Sequence, residues 1–164
     1  MANINTKDYY LSFMLGKEMY AFVVYEVLEV LPYQDITPIP KAPQSVLGII
    51  NFRGEILPVI DFKKKLMIRK ESDLKKVIIV IEVVVQKTKI LLGILVDGVK
   101  DVLEINQKDI KNMPEFGVEF KTEFLSGIYK SEEGFISILD INKIFSDDEI
   151  LHLNDKIVNS SAAV

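Results

Sequence analysis

The chain has 164 residues, of which 27% are charged, with a formal net charge of −4; this is the profile of a globular chain and a poor match to a nucleic-acid binder. It contains no cysteine and one histidine, which removes disulfides, thiolate nucleophiles and sulfur-ligated or multi-histidine metal sites. The longest apolar stretch, Ile90 to Val96 with Gly93 counted in, has seven residues against the roughly 20 of a spanning helix. The N-terminal residues carry no basic-then-apolar signal pattern, so a soluble, cytoplasmic protein is expected.

Counts of 22 Ile and 17 Val against 5 Ala favour pleated structure over helix. Tyr9 to Leu15 and Glu18 to Val24 read as a hairpin turned at Gly16-Lys17. Tyr25 to Leu31 reads as one or two helical turns running into a strand, followed by a loop punctuated by Pro32, Pro38, Pro40 and Pro43. Val46 to Phe52 and Glu55 to Ile60 are strands joined through Arg53-Gly54, and Lys63 to Lys76 is a charged boundary or edge. Val77 to Val85 is a buried strand with Ile90 to Val96 as its hairpin mate. Val102 to Ile105, Phe124 to Lys130 and Gly134 to Leu139 are later strands. Ser146-Asp147-Asp148-Glu149 is a capping box, and Ile150, Leu153 and Ile157, with Leu151 and Val158, form the helical stripe behind it.

An internal repeat organises these elements. Gly48, Ile49, Leu57 and Asp61 correspond to Gly127, Ile128, Ile136 and Asp140 at a constant offset of 79, while Val27-x-Glu29-Val30 corresponds to Val99-x-Asp101-Val102 at an offset of 72. The difference is a loop insertion in the second copy. Each half is expected to hold a hairpin, a short helical turn, a strand, a Pro-containing loop and two strands. Five strands per copy is the size of a small barrel, which removes most sheet edges. The expectation is one unit over 1–164 with two barrel-like lobes, about 18–85 and 90–145, and with 9–15 and 146–158 crossing between them.

Little here suits catalysis. No phosphate loop, nucleophile elbow or dinucleotide fingerprint occurs. His152, within the C-terminal helix, reads as a surface or interlobe residue. Asp97 and Asp101 lack the spacing of a calcium loop and read as a turn with a short helical segment. Asp147, Asp148 and Glu149 are explained by a helix N-terminus. Lys63-Lys64-Lys65 reads as a solvated face. No cofactor or metal is expected.

The informative segment is Gly48 to Asp61. Its residues Gly48, Asn51, Phe52, Arg53, Gly54, Pro58, Val59, Ile60 and Asp61 resemble the pattern Gly-x-x-Asn-Leu/Phe-Arg-Gly followed by Pro-Val/Ile-Val/Ile-Asp of the CheW family of chemotaxis coupling proteins. Val96-Asp97-Gly98-Val99-x-Asp101-Val102 and Pro114-Glu115-Phe116 are also similar to the family, and the likeness spans about residues 9 to 155.

The resemblance implies a mostly β fold of two SH3-like five-stranded barrels with short helices and a C-terminal helix. It implies a non-enzymatic adaptor between the histidine kinase CheA, through its regulatory domain, and the cytoplasmic tips of chemoreceptors (methyl-accepting chemotaxis proteins). Such a protein is cytoplasmic, recruited to membrane arrays through its partners, and a monomer alone. The chain has no room for a kinase or receiver domain. The site residues implied are Val27, Val30 and Val99 for the receptor, Glu115 and Phe116 for the kinase, and Arg53 anchored in a two-bond fork by Glu29 within the Asn51 to Gly54 turn. The alternatives are a carboxylate-dependent hydrolase on a β-barrel scaffold, which would need convergent titratable groups, and a generic SH3-like module for Pro-rich peptides, which would need an aromatic groove in a chain without tryptophan.

Overall fold

A computed structural model describes residues 6–112 and 124–162, with side chains described as far as 155. Eleven strands and three helices occur among them: β1 (Lys7–Leu15), β2 (Glu18–Val23), β3 (Val27–Pro32), β4 (Val46–Phe52), β5 (Glu55–Asp61), α1 (Phe62–Lys65), β6 (Val77–Val85), β7 (Thr88–Val96), β8 (Gly98–Asn106), β9 (Ile110–Lys111), β10 (Leu125–Ser131), β11 (Gly134–Leu139), α2 (Ile141–Ile144) and α3 (Asp147–Ala162). Short 3-10 turns precede β3 and β9.

The strands form two sheets, ordered β3-β6-β7-β5-β4 and β8-β1-β2-β11-β10-β9. Each curls around its own interior. Ile50, Phe52, Leu57, Val59, Ile78, Val80 and Leu95 fill the first. Tyr10, Ala21, Ile105, Ile136 and Ile138 fill the second. A larger cluster lies between the sheets, combining Ile79, Ile81, Leu92 and Ile94 with Leu11, Phe13, Phe22, Phe62, Phe145 and Ile150. Strands β6 and β7 are therefore covered on both faces, which explains their nearly continuous apolar composition. The core between the lobes also holds an aromatic chain, with Phe13 centred 5.0 Å from Phe22 and 6.0 Å from Phe62.

The second sheet has six strands rather than five. A 3-10 turn breaks the segment after β8 (Gly98–Asn106), so that its continuation, β9, pairs with β10 at the opposite edge. The first sheet makes the same closure with only one bridge, Thr37 to Ile49. The repeat is physically real at these closures. A Cβ on Gly48 would lie 2.0 Å from the Thr37 carbonyl oxygen, and one on Gly127 would lie 2.6 Å from that of Lys111. The register shifts beside both glycines also correspond, at Val46/Gly48 and Leu125/Gly127. Asp61 and Asp140 each cap the short helix that follows.

Sheet membership differs from the expected bounds of 18–85 and 90–145. Strand β7 pairs with β6 along its whole length, from Val77↔Val96 to Val85↔Thr88. The two-residue turn Gln86-Lys87, with φ of 50° and 63°, locks this hairpin into one sheet. Strand β2 belongs with β1 in the other sheet, where it also lies parallel to β11. Each repeat thus sends its leading hairpin into the sheet built by the other repeat: β1–β2 joins β8 to β11, and β6–β7 joins β3 to β5.

Two local expectations are corrected. The Gly98 to Asp101 segment is not a helical turn but the start of β8, bulged so that the Asp101 N–H donates to the Ser12 hydroxyl, which in turn donates to the Asp101 carbonyl. Lys63 is not part of a solvated face: its side chain is 12% exposed and paired with Asp97. Half of the capping box forms: Ser146 Oγ accepts from the Glu149 N–H, but the Glu149 carboxylate accepts from the Ser146 hydroxyl rather than from its backbone N–H. Glu149 also pairs with Lys65, joining α3 to α1.

Candidate functional site

Arg53 and Gly54 form the two-residue turn of the β4–β5 hairpin, both with positive φ (51° and 83°). Such a turn matches the twist of the flanking strands. Asn51 Oδ1 accepts from the Gly54 N–H at 3.0 Å and fixes the turn. The arginine side chain projects from it, 69% exposed, with its guanidinium 4.9 Å above the centroid of the Phe52 ring. Its Nη2 donates to Glu29 Oε2 at 3.0 Å. The expected partner is therefore in place, through one hydrogen bond rather than a fork. Asn51, Gly54, Arg53 and Glu29 are brought together as one unit that holds a cation in a defined direction on the surface.

Val27 and Val30 are three residues apart and would face opposite sides of a regular strand. A bulge reverses this. Val27 pairs with Ile81 and Val30 with Ile79, so three steps on β3 match two on β6. Ile79 and Ile81 share the face of the core between the lobes, so both valines turn to that face. Val27 is half-buried against the core, while Val30 is 40% exposed. Strand β8 repeats the device: Leu11 pairs with Val102 and Phe13 with Val99, three steps against two. Val99 is half-buried against the same core, and Val102 is 56% exposed. Both strands lie at sheet edges. Val102 was not among the residues expected at the receptor, although the offset of 72 that relates Val27 to Val99 also relates Val30 to Val102.

Glu115 and Phe116 lie outside the described residues. Near the lobe junction, burial pushes the Glu26 carboxyl above its ordinary range, and the Asp140 carboxylate pushes it further. Among the described residues no cluster of three His, Cys, Asp or Glu side chains could hold a metal.

A family model for the CheW-like domain matches residues 9–149. The chain belongs to the CheW-like family. It is 38% identical to the chemotaxis protein CheW of Thermotoga maritima over 141 residues, covering 84% of this chain and 87% of that one. It is 33% identical to the CheW of Rhizobium meliloti over 140 residues, covering 85% and 88%. The crystal structure of the scaffolding protein TtCheW from Thermoanaerobacter tengcongensis superposes with a TM-score of 0.75 at 31% identity, covering 91% of this chain and 94% of that one. As a CheW-like chain it is a chemotaxis scaffold and not an enzyme, and the pair of SH3-like lobes is the CheW fold.

One residue of this CheW-like chain, expected only in a turn, is instead a buried member of an ion pair. Asp97, at the crossing from β7 to β8, has a side chain only 3% exposed. Its Oδ2 lies 3.1 Å from Lys63 Nζ of α1 and accepts from the Gly16 N–H of the β1–β2 turn at 2.6 Å. Lys63 also donates to the Lys70 carbonyl at 3.0 Å and lies 3.7 Å from Glu71. One buried carboxylate thus clasps the turn of one lobe to the helix and loop of the other. Asp97 stands in the Val96-Asp97-Gly98 motif, but its partners could not be read from that motif, because the three segments meet only in the folded chain.

Proposed function

We propose that this chemotaxis scaffold couples chemoreceptor tips to the regulatory domain of the histidine kinase CheA, holding both at once. On this reading the protein works in the cytoplasm, joins membrane receptor arrays through its partners, and is a monomer alone. The observation that carries the reading is the repeated valine pair: matching bulges on two edge strands turn Val27 and Val30, and Val99 and Val102, each to the side of its own sheet that faces the core between the lobes. A helical hairpin such as a receptor tip needs apolar anchors of this kind, and truncating a good anchor costs about 2 kcal/mol or more of binding. Arg53 is the second support. A non-glycine residue in the left-handed region carries a strain of about 1–3 kcal/mol, and a glycine or asparagine would fill the turn more easily. A turn that keeps an exposed arginine, braced by Glu29 and Phe52, is consistent with a side chain used by a partner. Glu115 and Phe116 are assigned to the kinase contact.

The test is mass photometry of the purified protein with a kinase regulatory domain and a receptor cytoplasmic fragment. Ternary particles are expected. Strict competition between saturating partners would reduce the protein to a single-site module. Val30→Glu and Val102→Glu, both at exposed positions, should each weaken receptor binding about tenfold or more and leave kinase binding intact. Undiminished receptor binding in both variants would remove the valine face from the site.

A further inference from the structure

The lobe built from β3 to β7 carries a second surface feature, separate from the valine face and the arginine turn. Its closure rests on the Thr37–Ile49 bridge alone, whereas the other lobe closes through the two-residue β9–β10 ladder. A groove of about 660 Å³ opens there, lined by Tyr33, Ile36, Leu47, Asp61, Lys75, Lys76 and Leu95. Its floor is apolar and continuous with the lobe interior: Leu95 belongs to that cluster, and Ile36 and Leu47 pack against it. Tyr33 stands 51% exposed.

The groove lining carries two cations, Lys75 and Lys76, against one carboxylate, Asp61. Residues 62–76 hold seven basic and two acidic side chains, in a chain whose net charge is −4. Several of those cations already have partners: Lys63 with Asp97, Lys65 with Glu149, and Lys70 with Glu18 at 4.0 Å. Asp61, the one carboxylate in the lining, accepts from the Lys64 N–H as a helix cap. Lys75 and Lys76 are exposed, and neither takes part in any hydrogen bond or ion pair found among the described residues. Two uncommitted cations thus flank an apolar floor.

We infer that this groove docks a short acidic segment of a partner protein, with one large apolar side chain seated against Leu47, Ile36 and Tyr33 and carboxylates meeting Lys75 and Lys76. The volume admits one aromatic side chain and its flanking backbone. Charge complementarity at the rim would accelerate encounter and make binding fall with salt.

The experiment titrates the full chain with a fluorescein-labelled peptide, acetyl-Glu-Asp-Glu-Phe-Glu-Asp-amide, followed by anisotropy and by amide NMR shifts. Saturable binding is expected, with shifts confined to residues 33–36, 47 and 75–76. Replacing the peptide's Phe by Ala, or its acids by Gln and Asn, should each weaken binding at least tenfold. The double variant Lys75→Glu/Lys76→Glu should do the same with an unchanged thermal midpoint, and Tyr33→Ala should weaken the Phe peptide more than the Ala peptide. Binding that ignores the lysine substitutions, ignores the Phe, or shifts resonances elsewhere overturns the assignment, as does no saturation by 1 mM peptide (roughly the −4 kcal/mol limit of a weak site). Self-association of the chain that is abolished by Lys75→Glu/Lys76→Glu would make a second copy the occupant and overturn the partner segment.

Discussion

Removing Lys63 should be among the most damaging single changes available on a charged side chain here. Lys63→Met keeps the aliphatic packing but strands Asp97, 3% exposed, with the Gly16 N–H as its remaining contact. Breaking a buried ion pair from one side costs about 3–5 kcal/mol, a large share of the roughly 5–15 kcal/mol that holds a domain folded. Asp97→Asn should cost less, about 1–3 kcal/mol. It keeps an acceptor for Gly16, and Lys63 at 12% exposure still has the Lys70 carbonyl and Glu71 within reach. The double variant removes both charges, so it should be more stable than Lys63→Met alone. Urea denaturation of all four proteins, followed by circular dichroism, measures the cycle. A loss below about 1 kcal/mol for Lys63→Met, or strict additivity of the two single losses, would mean that the clasp is a solvent-screened pair and that the argument from burial is wrong.

Arg53→Ala should lower folding stability by under about 1 kcal/mol, because its pair with Glu29 is exposed, yet reduce kinase activation in a reconstituted receptor assay; a large drop in melting temperature would make the turn structural instead. Glu26→Gln should stabilise the protein at neutral pH, since the folded carboxyl is pushed above its ordinary value of 4.5 and its ionised form is disfavoured by the fold. The advantage should shrink as pH falls through the raised pKa and vanish below the ordinary carboxylate value, and an advantage that grows toward low pH would reverse the sign of the burial argument. Gly48→Ala should cost about 2 kcal/mol or more, because the new methyl meets the Thr37 carbonyl, and Gly127→Ala should follow it in kind; thermal melts of both compare the two closures. Phe116→Ala should weaken association with the kinase regulatory domain by sedimentation while leaving the thermal midpoint nearly unchanged, and a large loss of stability would instead assign the ring to the core.

Sequence patterns disclosed local structure well and partnership poorly. The apolar runs at Val77 to Val85 and Ile90 to Val96 reported buried strands paired as a hairpin, although the turn expected across Gln86 to Lys89 is only Gln86-Lys87, with Thr88 and Lys89 already in β7. The same evidence could not say which lobe a hairpin joins. That choice rests on the antiparallel pairings β1–β8 and β3–β6 and the parallel pairings β2–β11 and β5–β7, long-range contacts that leave no local mark. Gly98 to Asp101 looked like a turn because Lys100 and Asp101 interrupt the alternation, and the bulge that keeps them in β8 depends on Ser12, a residue 89 positions away. The Arg53 turn was legible because a glycine directly after Arg53, between two strands, suggests a tight turn, and its partner Glu29 came from the family resemblance. Val102 was available from the repeat. Asp97 was not, since a buried carboxylate is recognised by what surrounds it.

The exchange of hairpins between the two repeats has a consequence for how the protein is made. The lobe of β3 to β7 is a continuous stretch, residues 27–96, so it can close as soon as that stretch has left the ribosome. The N-terminal hairpin, although synthesised first, has its pairing surfaces in β8 and β11. At about 5–20 residues per second, those strands emerge on the order of ten seconds later. Until then Leu11, Phe13 and Phe22 have only part of the core that buries them. The β1–β2 hairpin, made before the lobe of β3 to β7, is thus completed after it, and it needs protection from unintended strand pairing while it waits.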